Sequence, residues 1–295
     1  MRSNPFKGSG VALITPFHQN GEVDYDSLAN LIEFQIENGT DFLCALGTTA
    51  ETPALEDSEY QEVLSFIVRQ VAGRIPIMAG CSDNCTARLT RKIKTLDFTG
   101  VSALLVCEPA YNKPTQEGLY QHFMAVAEAS PLPIVLYNVP GRTGVNMTAA
   151  TTLRLAEASE KFIAVKEASG NTDQIYEIID RAPAGFSVIS GDDSLTFILM
   201  QHGACGCISV IANALPLTYG KMIHALADNR IEEAATIHNM LNPLYGLLFK
   251  EGNPSGIKAL LASRNMTCDR LRLPLVPVSD ELRGQIVSCF NIVLK

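Results

Sequence analysis

Apolar residues fall along the chain in two alternating textures. Short runs rich in Val, Ile and Leu are apolar at consecutive positions: 10–17, 41–47, 75–80, 101–109, 133–140, 162–169, 186–193 and 206–213. Unbroken apolarity of this length marks parallel strands covered on both faces. Between the runs lie stretches with helical period. Residues 26–38 set Leu28, Leu31, Ile32 and Ile36 on one side and end at Asn38-Gly39, a C-cap signal. Residues 57–72 set Tyr60, Val63, Leu64, Ile67 and Val71 on one face. Thr115 and Thr172 open the stretches 115–130 and 172–181 as N-caps, and Pro216 suits the first turn of a later helix.

Strict alternation of strand and helix requires a parallel sheet. Eight units fit a (β/α)8 TIM barrel, whose typical length is ~250 residues. The competing doubly wound sheet would carry GxGxxG after its first strand. Here Gly8-Ser-Gly10 precedes that strand and lacks the third glycine, and no P-loop occurs. Beyond residue 230 only helical stretches follow, at 231–249, 254–264 and 279–292. The expected organisation is a catalytic barrel over 1–230 and a closely packed C-terminal helical appendage over 231–295.

Composition narrows the function. Of 295 residues 47% are hydrophobic and 18% charged, which excludes a disordered chain. A net charge of −8 gives no basic footprint for nucleic acid. The basic stretch Arg88 to Lys94 reads as the solvated face of an amphipathic helix. No apolar run approaches the ~18–20 residues of a membrane span, and the first residues lack a signal-peptide core, so a cytoplasmic protein is expected. The eight cysteines and five histidines form no zinc pattern and read mostly as buried free thiols and unligated imidazoles.

In a barrel, chemistry sits at the C-terminal ends of strands. There Lys166 stands out, flanked by apolar residues in Phe-Ile-Ala-Val-Lys-Glu-Ala (162–168). A lysine so placed is either ion-paired, with Glu167 or Asp192 as partner, or an amine nucleophile for a carbonyl. Tyr137 ends the preceding strand and reaches the same pocket if the registers agree, where a phenol can relay protons. Thr48-Thr49 follows Gly47 and either caps a turn or binds a carboxylate and passes protons to Tyr137. Arg142, in a loop between Gly141 and Gly144, carries a fork suited to a carboxylate. Asp192-Asp193 lacks a third metal ligand and reads as a helix cap.

As a set, these strand ends resemble the dihydrodipicolinate synthase family. The segments are ALGTTAE (45–51), EPAYNKPTQEGLYQHF (108–123), LYNVPGRTG (136–144), VKEASG (165–170), SGDD (190–193) and GCISV (206–210), in order across essentially the whole chain. The resemblance implies condensation of pyruvate with L-aspartate 4-semialdehyde in diaminopimelate and lysine synthesis. It implies a Schiff base on Lys166, proton transfer by Tyr137, Thr48 and Tyr111, and pyruvate contacts by Thr49, Gly191 and Ile208. Arg142 would hold the carboxylate of the semialdehyde. No metal or organic cofactor is implied. Tyr111 would enter the site of a neighbouring subunit, within a homotetramer built as a dimer of dimers. A sibling pyruvate lyase acting on N-acetylneuraminate or a 2-keto-3-deoxy sugar acid shares the lysine and tyrosine, but Arg142 favours the synthase. A barrel kept only for binding would need none of Lys166, Tyr137 and Thr49.

Two positions depart from the family pattern. Ala50 stands where Gly is usual, which is tolerable only at negative φ. Ala110 stands where an aromatic residue often precedes Tyr111. The family's lysine-feedback site maps to Asp57, Tyr60, Asn84, Arg88 and Ala110, of which only Asn84 matches. Arg88, in place of a glutamate, would repel a lysine ammonium, so weak or absent feedback is expected.

Overall fold

The eight apolar runs become eight strands of one closed parallel barrel, and β8 pairs back onto β1. They are β1 Gly8–Ala12, β2 Phe42–Ala45, β3 Ile77–Gly80, β4 Ala103–Cys107, β5 Ile134–Asn138, β6 Phe162–Glu167, β7 Ser187–Ser190 and β8 Gly206–Ser209. The computed structural model describes residues 4–293. The expected TIM barrel is therefore the fold observed. Between and after the strands run α1 Tyr25–Glu37, α2 Asp57–Val71, α3 Thr86–Thr95, α4 Gln116–Ala129, α5 Pro140–Thr143, α6 Ala149–Ala158, α7 Thr172–Arg181, α8 Thr196–His202 and α9 Pro216–Ala227. Then come α10 Ile231–Phe249, α11 Ser255–Ser263 and α12 Asp280–Val293.

Most strands are shorter than their apolar runs, for local reasons. β2 stops at Ala45 because Leu46 turns to φ 52, a left-handed conformation that leaves the sheet. β1 starts and stops earlier than expected: Leu13 still donates to Cys44 O, but Pro16 has no N–H to continue the ladder. The Thr115 cap forms as expected, accepting from Gly118 N at 3.2 Å. The Thr172 cap does not: Asn171 takes that place and accepts from Gln174 N at 3.1 Å. Asparagine is the stronger N-cap of the two, and Thr172 becomes the first residue of the helix.

Two apolar layers hold the barrel. The inner one includes Phe6, Phe42, Cys44, Met78, Leu105, Val135, Ile163 and Ile189. The outer, larger one lies between strands and helices. Gly10 belongs to the inner layer: a Cβ there would fall 2.2 Å from the Phe42 ring. Its glycine makes room for that ring and serves no phosphate turn. α10 packs along α9 and α12, and α11 packs on α12 and on the turn after β8. This brings the C-terminal helices to the mouth of the barrel. Among the described residues, no helix is long and apolar enough to cross a membrane.

Candidate active site

The register between β5 and β6 places Tyr137 directly beside Lys166. Side chains alternate along each strand, so both point inward while Asn138 and Glu167 point out. Lys166 Nζ lies 4.3 Å from the centroid of the Tyr137 ring. Both residues are buried, and no carboxylate among the described residues forms an ion pair with Lys166. The ion-pair reading of this lysine is thus corrected. Glu167 is committed elsewhere, accepting from Asn138 Nδ2 at 2.7 Å and from Ser169 Oγ at 2.7 Å. Neither aspartate is the helix N-cap expected of one of them, since Leu195 begins α8 without a side-chain cap; Asp192 accepts from Ser194 N at 2.8 Å in the turn ahead of α8, and Asp193 accepts from Ile211 N at 2.9 Å after β8.

Around Lys166 opens a cavity of about 690 Å³. Its wall includes Thr48, Thr49, Tyr137, Arg142, Gly191 and Ile208, so six further predicted residues meet Lys166 in one chamber. Gly191 is there for space: a Cβ would fall 3.0 Å from Lys166 Cε and 2.9 Å from Ala168 Cβ. Thr49 Oγ1 accepts from Asn253 Nδ2 at 2.9 Å, which leaves its own O–H free to donate into the chamber. Thr48–Ala50 form a single 3-10 turn, and the left-handed residue is the next one, Glu51 at φ 56. Ala50 therefore replaces Gly without backbone strain. Arg142 lies in the one-turn helix α5 rather than in an open loop, and its Nη2 donates to Asn253 O at 3.5 Å.

Tyr111 is not in the chamber. It is 93% exposed at φ 75, and its backbone N–H donates to Thr143 O at 3.1 Å. The feedback positions are largely engaged with other groups. Tyr60 is buried and donates to Gly80 O at 2.9 Å. Asn84 Oδ1 accepts from Ala110 N at 2.7 Å. Arg88 makes two 2.6 Å bonds to Asp83, so its charge is already neutralised and the expected repulsion of lysine is weakened. Asp57, the exposed carboxylate among these positions, lies 3.5 Å from Lys92 Nζ, so a cation already stands beside it.

The C-terminal helices supply what the sequence pattern did not single out. Asn242, Tyr245, Gly246, Phe249 and Asn253 line the chamber. Below Thr49, Glu51 forms a fully buried ion pair with Lys258, and Lys258 Nζ also donates to Arg270 O at 3.0 Å. The second carboxylate oxygen of Glu51 accepts from Arg272 N at 2.9 Å. The threonine turn is so clamped from α11 and the segment after it. The signal for Lys258 was the one that exposed Lys166, a lone lysine in an apolar run (Gly-Ile-Lys-Ala-Leu-Leu, 256–261). Among the described residues no three His, Cys, Asp or Glu side chains converge as metal ligands. A buried amine without a counter-ion, beside a phenol and a hydroxyl, suits imine chemistry on a small carbonyl acid.

The sequence profile of the Dihydrodipicolinate synthetase family matches residues 5–292. A relative from Phocaeicola vulgatus, 4-hydroxy-tetrahydrodipicolinate synthase, is 55% identical over 271 residues, 92% of this chain and 91% of that protein. The crystal structure of dihydrodipicolinate synthase from Aquifex aeolicus is 42% identical with a TM-score of 0.94, covering 97% of each chain. A monomeric dihydrodipicolinate synthase variant is 38% identical with a TM-score of 0.95, covering 98% of this chain and 97% of its own.

Breaking the buried pair on one side leaves a naked charge. Lys258→Met is expected to destabilise the fold by about 3–5 kcal/mol, and adding Glu51→Gln to restore much of that loss. Urea unfolding of the two variants measures both.

Proposed function

The chain belongs to the dihydrodipicolinate synthetase family, and we infer from this that it is an enzyme condensing pyruvate with L-aspartate 4-semialdehyde to 4-hydroxy-tetrahydrodipicolinate. The observation that carries the chemistry is the unpaired Lys166 beside Tyr137 in a closed barrel end.

In this reading the neutral Lys166 amine attacks C2 of pyruvate, and the carbinolamine loses water to give an imine. Tyr137 supplies the proton to the departing hydroxyl, with Thr48 on the same wall passing protons to and from it. Loss of a C3 proton gives the enamine, whose carbon attacks the aldehyde of the second substrate. A C–C bond forms and the aldehyde oxygen takes a proton. The substrate amine then adds to C2, the ring closes and Lys166 leaves as the free amine. One water is released for each pair of substrates, and no redox change occurs. Thr49, Gly191 and Ile208 surround the pyruvate unit, and Arg142 at the mouth binds the carboxylate of the semialdehyde.

No step calls for a metal or organic cofactor. Tyr111 completes the proton relay from a second copy of the chain, and its exposure and distance from its own chamber support that role. We place this pairing within a homotetramer. The eight free cysteines suit a cytoplasmic setting.

Borohydride trapping with pyruvate tests the assignment. Wild-type protein should gain a pyruvyl adduct on Lys166, and Lys166→Ala should fold, gain none and lose turnover by at least about a thousandfold. Near-normal turnover in that variant would sink the Schiff-base assignment. The condensation assay, run beside N-acetylneuraminate and 2-keto-3-deoxygluconate cleavage, reads the substrate class. Arg142→Ala should raise KM for the semialdehyde about 10–100-fold, the worth of one charge-assisted contact, while imine trapping persists. Lost trapping with unchanged semialdehyde kinetics would place the residue elsewhere. Lysine titrated up to 1 mM into the assay, roughly a –4 kcal/mol binding test, should leave the rate unchanged; strong inhibition would reveal a rebuilt feedback site.

A further inference from the structure

Behind the row Cys107, Tyr137, Lys166, which the register aligns across β4, β5 and β6, the next residues form a second row on the outer side of the wall: Glu108, Asn138 and Glu167. All three are buried. The segment 139–147 roofs this row. Met147 N donates to Asn138 Oδ1 at 3.0 Å, and Asn138 Nδ2 donates to Asn146 Oδ1 at 2.9 Å. Val139 N donates to Glu108 Oε2 at 3.4 Å. Val139 is also the residue from which the Arg142 turn starts, its carbonyl accepting from Arg142 N at 2.9 Å and Thr143 N at 3.1 Å.

Two carboxyl groups in one dry row cannot both carry charge cheaply. Their partners decide which one does. Glu167 accepts from Asn138, from Ser169 N and Oγ and from Gln174. Glu108 has the single long bond to Val139, and its Oε1 is buried with no partner at all. The proton therefore belongs on Glu108. Burial raises its carboxyl from 4.5 to about 8 against the backbone N–H groups of Glu108, Val139 and Met147, with Glu167 adding repulsion; burial raises Glu167 as well, and its side-chain and backbone donors pull against that. Other ionisable groups leave this division intact. The Cys107 thiol precedes Glu108 on its own strand and is itself pushed up by burial. α4 buries only His122, which is engaged with Thr86. α6 buries none, Lys113 rests its stem by Gly144 at the outer edge, and Arg142 turns toward Asn253.

We propose that Glu108 in its neutral form is a positioning residue that holds the Arg142 turn closed, and that its ionisation opens the turn and weakens the grip on the carboxylate of the second substrate. A charge on Glu108 meets only backbone N–H groups, leaves Oε1 without a partner and faces a repelling neighbour, so it must admit water, and the cover over it is the segment that carries Arg142. The proposal rests on the role assigned to Arg142 above. Pyruvate, held deeper on the inner face of the wall, is not affected.

The test compares wild type with Glu108→Gln, which keeps the shape and cannot ionise. With a group titrating near 8, KM for the semialdehyde in wild type should rise about tenfold between pH 7 and pH 9. In Glu108→Gln it should stay flat, and pyruvate trapping should be alike in both. Amide exchange over residues 139–144 should accelerate in wild type relative to the variant at the same pH. Folding supplies a second readout. The unfolded chain ionises this group from about 4.5 and the folded chain only near 8, so wild-type stability should fall across that interval and level off above it, and Glu108→Gln should lack this component. Equal exchange in the two proteins at every pH, or a KM that falls on ionisation, overturns the proposal. Faster wild-type exchange with a flat KM would uphold the latch and refute the role of Arg142 instead.

Discussion

An amine kept inside a barrel of apolar side chains must be separated from every carboxylate that could pair with it and hold its proton, and that separation is the condition on which this site depends. It is met by the two-residue period of a strand. On β6, Lys166 and Glu167 are neighbours in sequence yet lie on opposite faces of the wall. The same alternation on β5 sends Tyr137 in and Asn138 out, and the register makes the two strands agree. A slip of one residue would exchange the rows and put Glu167 in the chamber. The packing of the inner layer, the space left at Gly191 and the hydrogen bonds that tie Glu167 outward all serve to fix that register.

The outward row is as consequential as the inward one. Asn138 satisfies Glu167 on one side and the 146–147 segment on the other, so the roof over the outer row is built from the same strand that carries Tyr137. The turn with Arg142 springs from that roof. The amine and phenol sit on strands, while the group proposed for the second substrate sits on a one-turn helix.

Strand positions were readable from sequence because parallel strands buried on both faces leave an unbroken apolar run, and a lysine interrupting such a run announces itself. The closure of the barrel, Lys166, Tyr137, Thr48 and Thr49 followed from that, whereas Gly191 and Ile208 were singled out only by the family resemblance. Asn253 and Tyr245 did not, since an asparagine at a helix junction or a tyrosine on an amphipathic helix has an ordinary surface or core explanation. Only the three-dimensional return of α10 and α11 to the barrel mouth gives them a site. Lys258 was within reach of the rule that found Lys166, but it lies in a helical run, where long apolar stems usually snorkel to solvent. The cap at Asn171 rather than Thr172 turned on a one-residue choice between two good caps. Tyr111 and Arg142 are exposed in a single chain, so their meaning depends on what approaches them.

The clamp on the threonine turn spans most of the polypeptide. Asn253 meets Thr49 across 204 positions, and Lys258 meets Glu51 across 207. During synthesis the turn after β2 emerges long before α11 exists, so a nascent chain can form strands and even close its ring while this corner remains loose. Contacts of such high separation bear the largest loop-closure cost and come late. The chamber is consequently among the last parts of the molecule to become ordered, and a partly made chain carries the reactive lysine without the geometry to use it.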